Sequence, residues 1–316
     1  MSYTFERARE IFYQPFMELL YQAHSIHREH FCPSTIQTST LLSVKTGACT
    51  ENCSYCAQSA HYSTGTPVEK MLDKEQILSL AKKAKDSGSS RFCMGASGRS
   101  PSEKDIDTLC EAIGEIKQLG METCVTLGLL SSNQAARLKD AGLDFYNHNI
   151  DTSKEYYSQV ISTRTFEDRL DTIANVREAG LKICVGGILG MGESNDDRIN
   201  MLLLLANLPT PPESVPINQL VKIPGTPLDN APEVDKFDFV RTIALARILM
   251  PTSYIRLSAG RKAMSEELQA LCFFAGANSV FYGDKLLTTS NAAPGSDELL
   301  FSKLNLQKEP FIEMKA

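Results

Sequence analysis

The feature that most limits how this chain can fold is a repeated cadence. An amphipathic helical stretch ends at a glycine, and a short β-prone run follows within a few residues. The stops are Gly88, Gly120, Gly142 and Gly180, and glycine ends helices well because it takes positive φ without a Cβ clash. The entries are as regular. Ser100-Pro101-Ser102-Glu103 reads as a capping box with Pro at the first helical position, Ser131 stands three residues before Gln134, and Asp73 three before Gln76. The strand candidates are 40–45, 91–94, 122–127, 144–149, 182–188, 215–221, 253–257 and 278–282. Eight strands alternating with helices form parallel β/α units. At about 250 residues their closed solution is a (β/α)8 TIM-type barrel, with a doubly wound open sheet as the alternative. Residues 1–35 read as an N-terminal helical extension, 36–288 as the barrel, and 289–316 as a C-terminal loop and tail, with 289–298 expected to be mobile.

Composition narrows the function. With 42% hydrophobic and 22% charged residues, and no apolar run near the ~18 residues of a membrane span, neither disorder nor membrane insertion is expected. A formal charge of −6 without a long basic run argues against a nucleic-acid partner. The first ten residues lack a basic region leading into an apolar one, so no secretory signal is expected and a reducing, cytoplasmic location follows. Nine unevenly spaced cysteines are then thiols rather than a disulfide framework.

Three of them, Cys49, Cys53 and Cys56, form a C-x3-C-x2-C loop directly after the first strand candidate. Loops leaving the carboxyl ends of strands build the active sites of β/α barrels, so thiols there suggest chemistry. Closed zinc and iron–sulfur sites take four ligands, and here the local set stops at three. A 4Fe-4S cluster held this way keeps one iron open to chelate a small molecule, and Tyr55 is placed to shield the cluster or touch that molecule. A zinc loop completed by a distant residue such as His61 is the other reading.

Cys93, Cys124 and Cys184 fall on β-runs five, four and four residues after Gly88, Gly120 and Gly180. Inward side chains of different barrel strands meet in layers, so the three can converge. Singly, each is an ordinary small core residue. Arg256 also sits in a β-run where an aliphatic residue is the usual choice, and a buried guanidinium needs a partner. A thiolate cluster would supply one, which makes three cysteines and an arginine a second candidate iron–sulfur site. Cys110 shares a stripe with Ile106, Leu109, Ile113 and Ile116 and reads as core; Cys32 and Cys272 carry no motif. His24, His27 and His30 read as a solvated helix face.

With its aromatic residue, the C-x3-C-x-Tyr-C triplet resembles the signature of the radical S-adenosylmethionine (SAM) superfamily. The stretch Gly186-Gly187-Ile188-Leu189-Gly190-Met191-Gly192-Glu193 resembles the element that supports the adenine there, through Ile188 and Glu193. Adding Cys93, Cys124, Cys184, Arg256 and phrases such as Tyr146-Asn147-His148-Asn149-Ile150-Asp151-Thr152, the chain resembles the biotin synthase family over nearly its full length.

The resemblance implies that the first triplet holds a 4Fe-4S cluster that binds SAM, and that the strand cysteines with Arg256 hold a 2Fe-2S cluster acting as sulfur source. It implies sulfur insertion between C6 and C9 of dethiobiotin, with one 5′-deoxyadenosyl radical spent at each carbon. Asn149 and Asp151 match positions that contact SAM ribose and substrate, Asn218 a substrate-side position, and Thr288 and Thr289 the region near the dethiobiotin carboxylate. Ala96 lies in Met94-Gly95-Ala96-Ser97, where the superfamily's Gly-Gly-Glu element receives the SAM amino group. Gly98 stands where that family carries Trp, and this chain has no Trp. A homodimer, a flavodoxin-type electron donor and the iron–sulfur assembly machinery are the implied partners. A different radical SAM mutase or lyase, an iron–sulfur scaffold and a zinc hydrolase remain the rivals.

Overall fold

A computed structural model describes residues 3–310 of the chain. Parallel pairing runs through β1 (Thr35–Lys45), β2 (Arg91–Ala96), β3 (Glu122–Thr126) and β4 (Phe145–Asn147) to a fifth stave made of two pieces, β5 (Lys182–Cys184) and β6 (Gly187–Leu189). It continues through β7 (Ser214–Gln219), β8 (Tyr254–Leu257) and β9 (Ser279–Phe281), and β9 pairs back onto β1. The sheet is closed. The eight-stave barrel leaves no exposed sheet edge around its circumference, and the open-sheet alternative is excluded. A two-residue strand, β10 (Gln307–Lys308), pairs with the start of β1 below the barrel.

All eight strand candidates are present with shifted ends. The first begins earlier, at Thr35, because its polar half (Gln37, Thr38, Ser39) is buried at the barrel floor and carries no hydrophobic alternation. The fifth breaks at Val185-Gly186, where a Cβ on Gly186 would meet the Pro216 carbonyl oxygen at 1.9 Å.

The outer layer is α3 (Lys74–Asp86), α4 (Glu103–Gln118), α5 (Ser132–Asp140), α6 (Lys154–Val160), α7 (Phe166–Glu178), α8 (Asn195–Ala206), α9 (Lys236–Leu249) and α10 (Glu266–Phe274). Before β1, α1 (Phe5–Tyr13) and α2 (Phe16–His30) pack on α8 and α9. Asp73 and Ser131 close capping boxes with Gln76 and Gln134 as expected. The box at α4 lies two residues later than the sequence suggests, with Ser102 as cap and Asp105 as its reciprocal partner. The four helix-stop glycines all take positive φ, between 74° and 95°.

Three expectations are corrected. Residues 289–298 are not simply a loop: Pro294 opens α11 (Pro294–Leu304), anchored by buried Leu300 and Phe301 and by a buried Asp297–Arg261 ion pair. The Pro-Gly pair reads as a turn, but Pro fits equally at the first helical position. The expected tail beyond residue 310 lies outside the described residues. His27 is not on a solvated face. It is 2% exposed, and its ring packs edgewise near His24 and against Phe31. Burial first, then the positive charge of Arg247, pulls its pKa down to about 3. Cys110 is only half-buried at the edge of its stripe, its thiol pointing to the Arg137 carbonyl at 3.6 Å. No helix among the described residues is long and apolar enough to cross a membrane.

Candidate active site

The carboxyl ends of the strands surround a cavity of about 320 Å³ lined by Cys49, Cys53, Cys56, Cys93 and Cys124, while Cys184 packs in the buried cluster with Cys93 and Cys124 and does not line it. Its rim is the loop after β1. Gly47 and Ala48, at φ 76° and 49°, turn the chain sharply into Cys49. The loop is then tied down: the Cys49 N–H donates to the Gln58 carbonyl at 2.9 Å, Ala60 N–H to the Cys49 carbonyl at 2.7 Å, and Ser54 N–H to the Val160 carbonyl at 3.0 Å. Asn52 bridges to Ser162 and Thr163. Cys49, Cys53, Tyr55 and Cys56 all line the cavity. Burial pushes the Cys53 thiol up, opposed by nearby Arg164, and pushes Cys56 up to about 12 with the help of Cys53. His61 points elsewhere, its Nε2 at 3.0 Å from the Thr50 carbonyl, and does not line the cavity. The zinc reading built on it fails.

Deeper in the barrel, Cys93 and Cys124 are direct cross-strand partners, and Cys184 stands in register with Asn147 on β4. The three form a buried cluster with Phe145, apart from the main core. Arg256 closes it. Its guanidinium is 1% exposed and points Nη1 at the Cys184 sulfur at 3.8 Å. Nε donates to Ser279 at 3.0 Å, and Nη2 to Ser39 at 3.1 Å and Gln37 at 3.3 Å. Hydrogen bonding from Cys124 pulls the Cys93 and Cys184 pKa values down and holds its own well above the usual range; Arg256 adds to the lowering at both.

Both donor sets fit iron–sulfur clusters. Among the described residues no three His, Cys, Asp or Glu side chains converge closely enough to hold one ion. A cluster does not need that, because each thiolate binds a separate iron and inorganic sulfide spans the gaps. Buried polar atoms without partners lie at both sets: Ser214 Oγ, in register with Cys184, and Arg164 Nε, next to the first triplet. Ser214 lies by Cys184 and lowers its pKa, and Arg164 Nε has the Glu51 carboxylate 3.7 Å away without a hydrogen bond, so both suit an anionic thiolate at the cysteines.

The remaining expected residues are brought to the same cavity with one exception. Ala96, Asn149, Asp151, Ile188, Asn218, Thr288 and Thr289 line it. Asn149 accepts from Gly186 N–H at 3.2 Å; Asn218 donates to the Gly187 carbonyl at 2.9 Å and accepts from Ala259 N–H at 3.1 Å. Both amides thus also brace the walls. Asp151, at φ 67°, is ion-paired with Arg169. Glu193 does not line the cavity. It is buried beneath the turn after β6, accepting from Gly190 N–H at 2.9 Å, Met191 N–H at 2.8 Å and Arg198 at 2.7 Å, so it shapes the Ile188 segment from behind.

Glu51, His148, Arg164 and Arg169 also line the cavity and are missed by sequence reasoning. For Arg169 a signal existed: it shares the inward stripe of α7 with Thr172, Ile173 and Val176, an anomaly of the kind that exposes Arg256.

A barrel with three thiols on the loop after its first strand defines an enzyme of the radical SAM type. Residues 43–206 match the model of the Radical SAM superfamily, and residues 216–307 that of the Biotin and Thiamin Synthesis associated domain. The chain is 61% identical over 305 residues to the biotin synthase of Rickettsia felis, covering 96% of this chain and 99% of the relative. It is 58% identical over 308 residues to that of Marinobacter nauticus, covering 98% and 88%. It therefore belongs to the biotin synthase family of the radical SAM superfamily, the sulfur-inserting enzymes. Solved structures support the fold alone. Methylornithine synthase superimposes with a TM-score of 0.81 at 18% identity, covering 98% of this chain and 95% of its own. The FeFe-hydrogenase maturase of Carboxydothermus hydrogenoformans gives 0.81 at 20%, covering 97% and 76%.

Proposed function

We propose that the chain inserts sulfur between C6 and C9 of dethiobiotin, with a 4Fe-4S cluster on Cys49, Cys53 and Cys56 and a sulfur-supplying 2Fe-2S cluster on Cys93, Cys124, Cys184 and Arg256. The observation that carries the reading is that Cys49, Cys53 and Cys56 share one cavity with Cys93 and Cys124, whose buried cluster is completed by Cys184 against Arg256. Held by Cys49, Cys53 and Cys56, a reduced 4Fe-4S cluster would supply the electron that releases a 5′-deoxyadenosyl radical from SAM, strong enough for an unactivated C–H bond, and a 2Fe-2S cluster on Cys93, Cys124, Cys184 and Arg256 would supply sulfide.

The protein's own side chains do the rest. The tied loop from Cys49 to Cys56 fixes three thiolates at the mouth. Asn149 and the Asp151–Arg169 pair present polar groups to SAM ribose and substrate, Tyr55, Ala96 and Ile188 flank the bound SAM, and Glu193 keeps the Ile188 turn in shape. Asn218, Thr288 and Thr289 bind the substrate end. Cavity walls exclude water, which protects a reactive carbon radical. A homodimer, a cytoplasmic location, a flavodoxin-type donor and reloading by iron–sulfur assembly machinery belong to the same reading, as does a division into extension, barrel and tail near residues 35 and 289.

The test is anaerobic reconstitution, reduction, and incubation with SAM and dethiobiotin. Biotin with 5′-deoxyadenosine is the expected product pair. About four iron per chain, or SAM cleavage with no biotin, would favour a mutase or lyase instead. No SAM cleavage at all would leave an iron–sulfur scaffold.

A further inference from the structure

Beside the first triplet lies a charge group that the reaction as stated does not use. Glu51, inside the cysteine loop, has a side chain 3% exposed. Its Oε1 accepts from Arg99 at 2.9 Å, its Oε2 from the Thr163 hydroxyl at 2.5 Å, and Arg164 Nε lies 3.7 Å from Oε2. Arg99 also reaches Asp168 Oδ2 at 3.6 Å, so two carboxylates balance the two guanidiniums and Glu51 is shared between Arg99 and Arg164. The neighbouring Asp151–Arg169 pair cancels itself.

Arg164 is the member of this group that reaches the cysteines. Its side chain is 7% exposed, its Nε has no hydrogen-bond partner, and its Nη2 points at the Cys53 sulfur at 3.6 Å. Burying an arginine this far is costly unless a negative group stands beside it. The only anion it directly donates to among the described residues is that sulfur once deprotonated.

We propose that Arg164 is a positioning residue for the outer cluster. Its N–H donation to the Cys53 thiolate raises the cluster's reduction potential, and Glu51 moderates that effect by sharing the guanidinium. The inference rests on the 4Fe-4S assignment. Adding an electron makes the cluster more negative, so a fixed cation and a donor to a ligand sulfur favour the reduced form. The low effective dielectric of a buried site strengthens the effect.

The experiment is a redox titration of the reconstituted holoenzyme without SAM, with the reduced outer cluster followed by EPR, for wild type, Arg164→Gln, Arg164→Lys and Glu51→Gln. Arg164→Gln is expected to shift the midpoint to a more negative potential. Arg164→Lys keeps the charge but loses the planar fork, and falls between it and wild type. Glu51→Gln removes a negative charge and shifts the midpoint the opposite way. An unchanged midpoint in Arg164→Gln, or shifts of the same sign in Arg164→Gln and Glu51→Gln, would overturn the proposal. Should Arg164→Gln fail to take up iron, the order wild type above Arg164→Lys and below Glu51→Gln decides it. A wild-type chain that binds no 4Fe-4S cluster would instead refute the functional reading beneath it.

Discussion

The two cysteine sets solve the same problem by opposite means. Cys49, Cys53 and Cys56 lie within eight residues on a loop, and a turn at Gly47-Ala48 with backbone ties to Gln58, Ala60 and Val160 gives that loop its shape. Cys93, Cys124 and Cys184 come from three separate strands and meet only because parallel pairing sets their depth. The outer set lines the cavity and is met by Arg164, which donates toward Cys53 and lies beside Glu51. The inner set is buried at the cavity's inner end, with Arg256 braced on Gln37, Ser39 and Ser279. A site on a loop is open to a diffusing molecule. One built into the barrel wall suits a group that is stored and then used.

If the two sets are separable in this way, the largest effect comes from the outer one. Cys49→Ala is expected to lose the 4Fe-4S signal and both products, 5′-deoxyadenosine and biotin, while retaining the iron and absorption of the inner cluster. Biotin formation by this variant would break the assignment. Cys184→Ala is the converse: SAM cleavage persists and biotin falls below detection. Full biotin output there would remove the sulfur-source role from the inner set.

How much of this was legible beforehand follows from the same contrast. Spacing in sequence announces the loop set, because ligands on one short segment must be close in space. The strand set was legible only through the glycines that fix each strand's start, since depth after the stop stands in for register. Arg256 was visible as a charge in an apolar run. Arg164 was not. It sits in the irregular link between α6 and α7, where no periodicity makes an arginine anomalous, and only tertiary packing brings it to Cys53. Gln37 and Ser39 were missed because a barrel floor can be polar, so the first half of β1 lacks the alternation that marks a strand.

Arg256→Leu sharpens the comparison at intermediate scale. In the cluster-free protein it removes a donor from Gln37, Ser39 and Ser279, all buried, and is expected to cost about 1–3 kcal/mol in denaturant unfolding. In the loaded protein the inner cluster's absorption should shift or fade while the outer EPR signal stays. Loss of both signals would mean that the two sites are not independent.

Acid titration is the natural way to compare how firmly each cluster is held, and it needs a background that neither cluster provides. His27 supplies one. Its pKa is near 3 in the fold against an ordinary value of 6.5, so between those limits the unfolded chain binds a proton that the folded chain refuses. Stability is therefore full above pH 6.5, falls as pH drops through that window, and levels off near pH 3. From His27 alone the slope approaches about 1.4 kcal/mol per pH unit, or about 2 kcal/mol between pH 6.5 and 5, and His148, whose pKa burial also holds well below the ordinary value, adds a loss of the same sign. Denaturant unfolding of the cluster-free protein at those two pH values measures the sum, and His27→Leu should reduce the difference by the His27 share while leaving that of His148, since the His27 ring makes no hydrogen bond that leucine would forfeit. An unchanged pH dependence in His27→Leu would show that the ring is not the titrating group. Any acid loss of iron that begins above pH 6.5 then belongs to the clusters, and the set that releases first is the less protected of the two.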